Sequence, residues 1–198
     1  MAPLTALASA LGIAWSSSVS LYATVGFTGV AGRLGWVTLP DGLRVLENPW
    51  VIGVALLLTA VEIAASLVPG VATAWEAAHA AVRPLAATAL AVLATWGASP
   101  ALVIVAGLLG GSLGAVTTAT KLKIRTAIDA SPEPVSNAVA TGAEMSTVAG
   151  MAWLVWSHPW IALALALLLL ASLFLVARAI WRALRRAATW AQGGLPPP

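Results

Sequence analysis

Two carboxylates in this chain lie where carboxylates are costly, inside long apolar stretches. Glu62 and Glu144 are each about 9 to 12 Å from the nearer end of their stretch, at 1.5 Å per helical residue. Arg83, Lys121 and Arg125 lie toward the same side. An ionised carboxylate within a membrane must be paired, hydrated or protonated. We therefore predict one cluster in which the two carboxylates meet some of these three cations.

The segment before Arg83 adds further candidates, because Trp75, His79 and Arg83 recur at i, i+4 and i+8 with Glu76 beside them. Two interpretations of the cluster stay open. Its members line a path for an ion, a proton or a small solute, or they are salt bridges that fasten helices together. The candidate residues are Glu62, Trp75, Glu76, His79, Arg83, Lys121, Arg125, Ser136, Asn137 and Glu144.

Four polar stripes at spacings of three and four surround these residues, and each places its members on one helical face. Hydroxyls and carboxylates are disfavoured in lipid, so such stripes are expected to face the inside of a bundle. The stripes are Ser17, Ser20, Thr24 and Thr28; Thr59, Glu62 and Ser66; Thr117, Lys121, Arg125 and Asp129; and Asn137, Thr141, Glu144 and Thr147.

The composition is that of an integral membrane protein. Of 198 residues, 60% are hydrophobic and only 9% are charged, with a mean hydropathy of +0.94. The net charge of +3 does not indicate nucleic-acid binding, because the basic residues flank apolar segments. The absence of cysteine excludes disulfides and thiolate chemistry. With only His79 and His158, and no Gly-rich phosphate loop or Gly-x-Ser-x-Gly motif, we assign no catalytic, metal or cofactor residue and disfavour an enzyme.

The apolar segments predict an all-α bundle of about six transmembrane helices within residues 1–186, followed by a short flexible tail at 187–198. Residues 84–98 span only about 22 Å as a helix, which is short of the hydrocarbon core. We therefore expect the third span to be broken or kinked at Arg83-Pro84. Glycines in the fourth span predict close helix packing. The predicted spans are 5–31, 49–68, 71–98, 101–120, 136–156 and 159–181.

Six crossings predict an orientation. One side then collects eight of the basic residues and the other only Arg33 and Arg44, so both termini are expected in the cytoplasm. Tryptophans fall at the opposite interface, where aromatic belts are found. They are Trp50, Trp96, Trp156 and Trp160.

Two motifs resemble the signatures of an uncharacterised bacterial membrane family, domain-of-unknown-function family 4126. The first is Val61-Glu62-Ile63, Val68-Pro69-Gly70-Val71, Trp75-Glu76, His79 and Val82-Arg83-Pro84; the second is Lys121, Arg125, Ser131-Pro132-Glu133-Pro134-Val135-Ser136-Asn137 and Glu144. The chain departs from the family pattern at Ser66, Leu67, Ala72, Thr118 and Met145, where the family is expected to carry charged residues or a histidine. The resemblance implies a multi-span protein of the bacterial cytoplasmic membrane and no particular activity.

Two functions follow as expectations. The first is a small transporter or channel for an ion, proton or small solute, with Glu62 and Glu144 in its polar interior. The second is a non-catalytic structural or accessory subunit of a larger membrane complex. The expected partners are membrane lipid and either further copies of the chain or other subunits, without nucleic acid.

Overall fold

A computed structural model describes residues 2–130 and 134–191. Within those ranges the chain forms eight α-helices, one 3-10 helix and no strand, which confirms the predicted all-α class. The helices are α1 (Pro3–Val19), α2 (Leu21–Arg33), the 3-10 helix (Asp41–Glu47), α3 (Pro49–Ser66), α4 (Val71–His79), α5 (Val82–Ala94), α6 (Pro100–Asp129), α7 (Pro134–Ser157) and α8 (Pro159–Ala191).

Local sequence accounts for several helix boundaries. Pro49 and Pro100 stand in the first turns of α3 and α6, where a missing N–H costs nothing. The Asn48 side chain accepts a hydrogen bond from the Trp50 N–H at 2.9 Å and so caps α3. Gly70 has φ of +80°, a conformation that favours glycine, and turns the chain between α3 and α4.

The predicted single span at 5–31 is wrong, because the chain breaks at Ser20. This residue is extended, with φ of −146° and ψ of 111°. The hydroxyls of Ser16 and Thr24 are hydrogen bonded at 2.9 Å, whereas eight residues of continuous helix would separate the two positions by about 12 Å. The helices α1 and α2 therefore form an antiparallel hairpin, whose tip we define as Val19 and Ser20.

The other ends of this hairpin lie together. Ala6, near the start of α1, lines a cavity with Asp41 and Trp96, and Gly32, near the end of α2, packs on Glu47. The chain returns from the tip to the end at which it started. We call this the tryptophan end, because it carries exposed indole rings, those of Trp36, Trp50, Trp96 and Trp160.

The opposite end of the bundle is basic. Lys123 of α6 and Arg178 of α8 line a common pocket there, so α8 runs away from the tryptophan end. We call this the basic end. The prediction that both termini share one side assumed a single first span and does not fit the hairpin, since α1 begins at the tryptophan end and α8 finishes at the basic end. Trp156, predicted in the aromatic belt, is buried.

Helix α1 forms the centre of the bundle and contacts α5, α6, α7 and α8. From Ala8 to Ser20 every residue except Leu11 is buried. Small side chains make this possible: a Cβ at Gly12 would lie 2.9 Å from Cγ2 of Val155. Serines and alanines fill most of the remaining positions, as is typical where helices approach closely in lipid.

The glycines of α6 pack as predicted. A Cβ at Gly110 would lie 2.7 Å from Cβ of Ala91 on α5 and 3.2 Å from Cβ of Ala14 on α1. A Cβ at Gly114 would lie 2.8 Å from Cβ of Ala87. Three helices can therefore meet here only because α6 carries no side chain at these positions.

The described residues support fewer candidate membrane spans than the predicted six. Among the described residues, α3, α6 and α7 are long and apolar enough to cross a membrane, and the α4–α5 pair makes a fourth span when counted as one. The helix α1 and the stretch Pro159–Leu168 of α8 are shorter apolar helices. The structure supports a membrane helical bundle with three to four candidate spans, and six are not confirmed.

The third predicted span is indeed bent, by 50°, but not where expected. The break falls at Ala80 and Ala81, and Arg83-Pro84 stand in the first turn of α5. A proline in a first turn starts a helix without disrupting it.

Two other helices are longer than predicted. Helix α6 continues to Asp129, and α8 continues to Ala191, within the predicted tail. Residues 192–198 of that tail lie outside the described residues.

Candidate functional site

Six charged side chains form one alternating chain of contacts inside the bundle, which we call the buried charge network. Five of them are at most 5% exposed, and Glu144 is 18% exposed. They come from α3, α4, α5, α6 and α7, so the network joins five helices. In order of contact its members are Glu62, Arg83, Glu76, Lys121, Glu144 and Arg125.

Arg83 joins the first two carboxylates. Its Nη2 donates to Oε1 of Glu62 at 2.8 Å and to Oε1 of Glu76 at 3.2 Å, and its Nη1 donates to Oε2 of Glu76. The break between α4 and α5 makes this fork possible, because it lets Glu76 and Arg83 approach from separate helices. A guanidinium suits the position, since its planar fork bridges two carboxylates.

Lys121 joins the two halves of the network. Its Nζ lies 2.9 Å from Oε1 of Glu76 and 3.1 Å from Oε2 of Glu144, and it also donates to the main-chain carbonyl oxygen of Val19. In an unbroken helix that carbonyl would accept from the Ala23 N–H. Here the Ala23 N–H points to the Ser20 hydroxyl at 3.4 Å, so the hairpin leaves the Val19 oxygen free for the ammonium.

Ser20 connects the hairpin tip to the other end of the network. Its hydroxyl donates to Oε2 of Glu62 at 2.5 Å. The two residues of the tip thus contact Lys121 and Glu62, which are separated along the network by Arg83 and Glu76. The position of the hairpin is therefore fixed by charged groups on both sides.

Arg125 closes the network on α7. Its Nη2 donates to Oε2 of Glu144 at 2.9 Å and to the Thr141 hydroxyl at 3.1 Å, and its Nη1 donates to the Asn137 amide oxygen at 3.3 Å. The polar stripe predicted on α7 accounts for this arrangement, because all three partners lie on one face of that helix.

A second polar contact continues from Asn137 to the rim of the basic end. Its amide nitrogen donates to Oδ1 of Asp129 at 3.1 Å. Oδ2 of Asp129 accepts from both the main-chain N–H and the hydroxyl of Thr73, at 2.9 and 2.5 Å. Asp129 thereby links the last turn of α6 to the first turn of α4.

The network lies in the half of the bundle nearer the basic end. Along their helices, Glu62 is about 20 Å from the start of α3, and Glu144 is about 20 Å from the end of α7. Lys121 is about 31 Å along α6 from Pro100. The two carboxylates are therefore about equally far, along their helices, from the tryptophan end, and their depth in a membrane stays a prediction.

An aromatic group lies beside the network and contacts the hairpin from α4. The rings of Trp75 and His79 are stacked with centroids 4.4 Å apart, and the Tyr22 hydroxyl is 3.0 Å from Nε2 of His79. Nδ1 of His79 is 2.8 Å from the carbonyl oxygen of Trp75. A carbonyl only accepts, so we assign the proton to Nδ1, which leaves Nε2 to accept from Tyr22.

The structure brings most of the predicted residues together, and Glu62 and Glu144 each contact one or more of the three predicted cations. Glu62 and Glu144 share no cation among the described residues, because Glu76 stands between their partners. Trp75 and His79 adjoin the network without an ion pair, and no hydrogen bond joins Ser136 to it in the described part. The sequence did not predict that Val19 contacts Lys121, that Ser20 contacts Glu62, or that Thr73 contacts Asp129. For the first two, the only signal in the sequence is the run of serines just before the break.

The three carboxylates and three cations of the network balance in charge. Within residues 2–130 and 134–191, Nε of Arg83, Nε of Arg125 and Nε1 of Trp75 are buried without a hydrogen-bond partner. Over the same ranges, no three His, Asp or Glu side chains gather in a way that would hold a metal ion. The arrangement offers carboxylate and carbonyl oxygen atoms that are paired with the network's own fixed positive charges.

Comparison with known proteins places the chain in a family. The model described as "Domain of unknown function (DUF4126)" matches residues 7–179, and the chain belongs to this family. The match confirms the resemblance seen in the two signatures, although Ser131, Pro132 and Glu133 of the second lie outside the described residues. No curated protein and no solved structure matches the chain.

Proposed function

We propose that this member of the family moves a small cation, either a proton or an alkali metal ion, across a bacterial cytoplasmic membrane. The observation that carries the proposal is the binding of the Lys121 ammonium by the Val19 carbonyl oxygen and two carboxylates. Carboxylate and carbonyl oxygens are the ligands that hard metal cations prefer. Lys121 occupies a position that a mobile cation would take.

The broken helix supports this role. Non-helical backbone at membrane depth is tolerated only where protein buries it or where it lines a cavity. Ion sites of transporters commonly use the free carbonyl groups of discontinuous helices near the membrane midplane. The hairpin tip supplies such a carbonyl at Val19, in contact with the charged side chains that would respond to an ion.

Charge balance gives the exchange a physical basis. With Lys121 charged, the network has no net charge. When the ammonium withdraws from Glu76 and Glu144, one negative charge remains uncompensated in a buried site. A buried unpaired charge is strongly unfavourable, so a cation from solution would be drawn to the oxygens that Lys121 has left.

For the orientation, we propose that the basic end faces the cytoplasm. Five exposed basic residues lie toward that end, against Arg33 and Arg44 at the tryptophan end, and positive residues favour the cytoplasmic side. The residues of the larger set are Lys123, Arg178, Arg182, Arg185 and Arg186. The start of α1 would then face outward and the end of α8 inward.

A structural or accessory subunit is the second candidate, and the completeness of the ion pairing favours it. Every charge of the network contacts an opposite charge, and only Glu144 has more than slight exposure. A network of this kind would fasten five helices without moving anything. The candidate predicts stoichiometric companions in a gently solubilised sample and no flux from the purified chain.

Flux in liposomes tests the proposal. Purified protein would be reconstituted with an internal pH dye or a sodium-sensitive dye, and a cation gradient applied. We expect flux from the wild type, loss of it in Lys121→Met and Glu144→Gln, and retention in Arg182→Met, whose side chain is exposed on α8 outside the buried charge network. Absence of flux for Na⁺, K⁺ and protons in well-folded wild-type protein would refute the proposal.

A further inference from the structure

A pocket on the outside of the bundle, separate from the buried charge network, lies between α6 and α8 at the basic end. It is lined by Thr120, Lys123, Phe174, Arg178 and Trp181. Except for Thr120, these side chains are exposed. The pocket therefore opens on the surface that lipid or the aqueous boundary contacts.

The pocket has an excess of positive charge. Lys123 and Arg178 both line it, and among the described residues neither forms an ion pair or a hydrogen bond with a carboxylate. Their neighbours behave differently: Lys121 and Arg125, two residues to either side on α6, turn inward and are paired with Glu144. Two unpaired cations facing one small cavity repel each other, and an anion between them would relieve that repulsion.

The rest of the lining is aromatic. Phe174 is one helical turn from Arg178 toward the tryptophan end, and Trp181 is about one turn beyond it toward the basic end. The guanidinium of Arg185 lies 5.1 Å from the centroid of the Trp181 ring, which adds a further positive group at the pocket edge. Cations above an apolar surface suit a ligand with an anionic head and an apolar body.

The level of the pocket matches such a ligand. Lys123 lies two residues beyond Lys121, about 34 Å along α6 from Pro100, which is just past the thickness of a hydrocarbon core. Phospholipid phosphates lie at that level, and basic pockets between membrane helices on the cytoplasmic side bind anionic headgroups. A guanidinium binds a phosphate through two parallel N–H groups, and an ammonium adds a point charge.

We propose that this pocket binds the phosphate of an anionic phospholipid, with Lys123 and Arg178 contacting the phosphate oxygens and Phe174 contacting the acyl chain. The phosphate ester is the recognised chemistry, and the membrane is its source. The proposal does not depend on cation transport. It gives the basic end a specific lipid ligand in addition to a general attraction to negative surfaces.

Lipid retention tests the site. Protein would be extracted from vesicles of phosphatidylcholine with and without phosphatidylglycerol, and bound lipid counted by native mass spectrometry. We expect the wild type to retain phosphatidylglycerol in preference to phosphatidylcholine. Lys123→Gln and Arg178→Gln should each reduce that retention about fivefold, since one basic residue at a membrane surface contributes about that factor. Both positions are exposed, so the variants should fold.

Arg182→Gln is the matched control, because Arg182 is an exposed arginine one turn further along α8 that does not line the pocket. It should retain phosphatidylglycerol like the wild type. An equal loss in Arg182→Gln would overturn the proposal in favour of diffuse charge attraction. Equal retention of the two lipids by the wild type would also overturn it. Displacement of the lipid by millimolar inorganic phosphate in detergent would identify a site for free phosphate instead.

Discussion

The Nζ of Lys121 on α6 donates a hydrogen bond to the carbonyl oxygen of Val19, the last residue of α1. The two residues are 102 positions apart in the chain, and the contact exists only because α1 ends there. A free carbonyl at a helix end is normally satisfied by solvent or by a capping side chain. Here a charged side chain that also contacts two carboxylates satisfies it, so the backbone of the hairpin responds to the charge of the network.

Replacing Lys121 by methionine should convert its position into an empty cation site. The change leaves Glu76 and Glu144 with one cation fewer, and breaking a buried ion pair costs about 3 to 5 kcal/mol. We expect a lower melting temperature in choline buffer and a saturable recovery in Na⁺ or K⁺. The recovery should be absent in Arg182→Met. A Lys121→Met protein whose melting temperature is the same with and without Na⁺ or K⁺ would contradict the prediction.

The pair of Arg125 and Glu144 separates a structural role from a transport role. Arg125→Gln or Glu144→Gln alone should destabilise the protein, because Glu144→Gln leaves Arg125 without a carboxylate and Arg125→Gln leaves Glu144 with Lys121 alone. The double variant should recover stability relative to the single variants. If the network carries ions, the double variant should recover its melting temperature but show no flux. Recovery of both the melting temperature and the flux would mean that Arg125 and Glu144 have only a structural role.

Ser20→Ala should destabilise the hairpin more than Ser17→Ala. The Ser20 hydroxyl caps α2 and donates to Glu62, whereas that of Ser17 donates only to the carbonyl of Ala14 in its own helix. Loss of an N-cap costs about 1 kcal/mol, and Glu62 also loses a partner. Both serines are fully buried, so equal melting temperatures for the two variants would count against a special role of the tip.

Adding a methyl group at Gly110 should destabilise the protein, whereas adding one at Gly150 should not. At Gly110 the new Cβ would meet Ala91 and Ala14, and overpacking of this kind costs about 1 to 3 kcal/mol. At Gly150 there is open space, so Gly150→Ala should be neutral or stabilise α7 by up to about 1 kcal/mol. Thermal unfolding in detergent measures both, and an equal response would show that α5, α6 and α1 are less tightly packed than described.

The hairpin predicts opposite exposure for the two ends of the chain. Because the sequence has no cysteine, single cysteines can be placed at Ala2, Thr38 and Arg182 and treated with a membrane-impermeant thiol reagent in intact cells. Ala2→Cys and Thr38→Cys should be labelled together, and Arg182→Cys only after the membrane is opened. Labelling of Ala2→Cys on the same side as Arg182→Cys would restore a single first span and contradict the hairpin.

The sequence predicted the membrane class and the inward-facing stripes because both depend on local hydrophobicity and on helical spacing. Residues of all four stripes are buried, among them Ser17, Thr59, Lys121 and Asn137. The break at Ser20 was missed because an apolar run of 27 residues reads equally well as one tilted helix. The break is stabilised by residues far away in the sequence, because Glu62 on α3 and Lys121 on α6 contact the hairpin tip. Local sequence does not encode these contacts.

Which charged residues of the network contact each other could not be predicted from the sequence, for a related reason. Spacing shows which face of a helix a side chain occupies, but not how far one helix is shifted along its neighbour. Glu76 was a candidate from its position beside Trp75, yet its contact with Lys121 depends on the bend at Ala80 and Ala81. Such offsets between helices are set by packing of the whole bundle.

The central place of α1 has a consequence for biosynthesis. This helix leaves the ribosome before α5, α6, α7 and α8, which are the helices that surround it in the finished bundle. Until α6 and α7 are made, the hydroxyl of Ser9 and the open carbonyl of Val19 lack the partners they have in the finished bundle, and lipid supplies none. The hairpin therefore gains these polar contacts only after α6 and α7 have been inserted beside it.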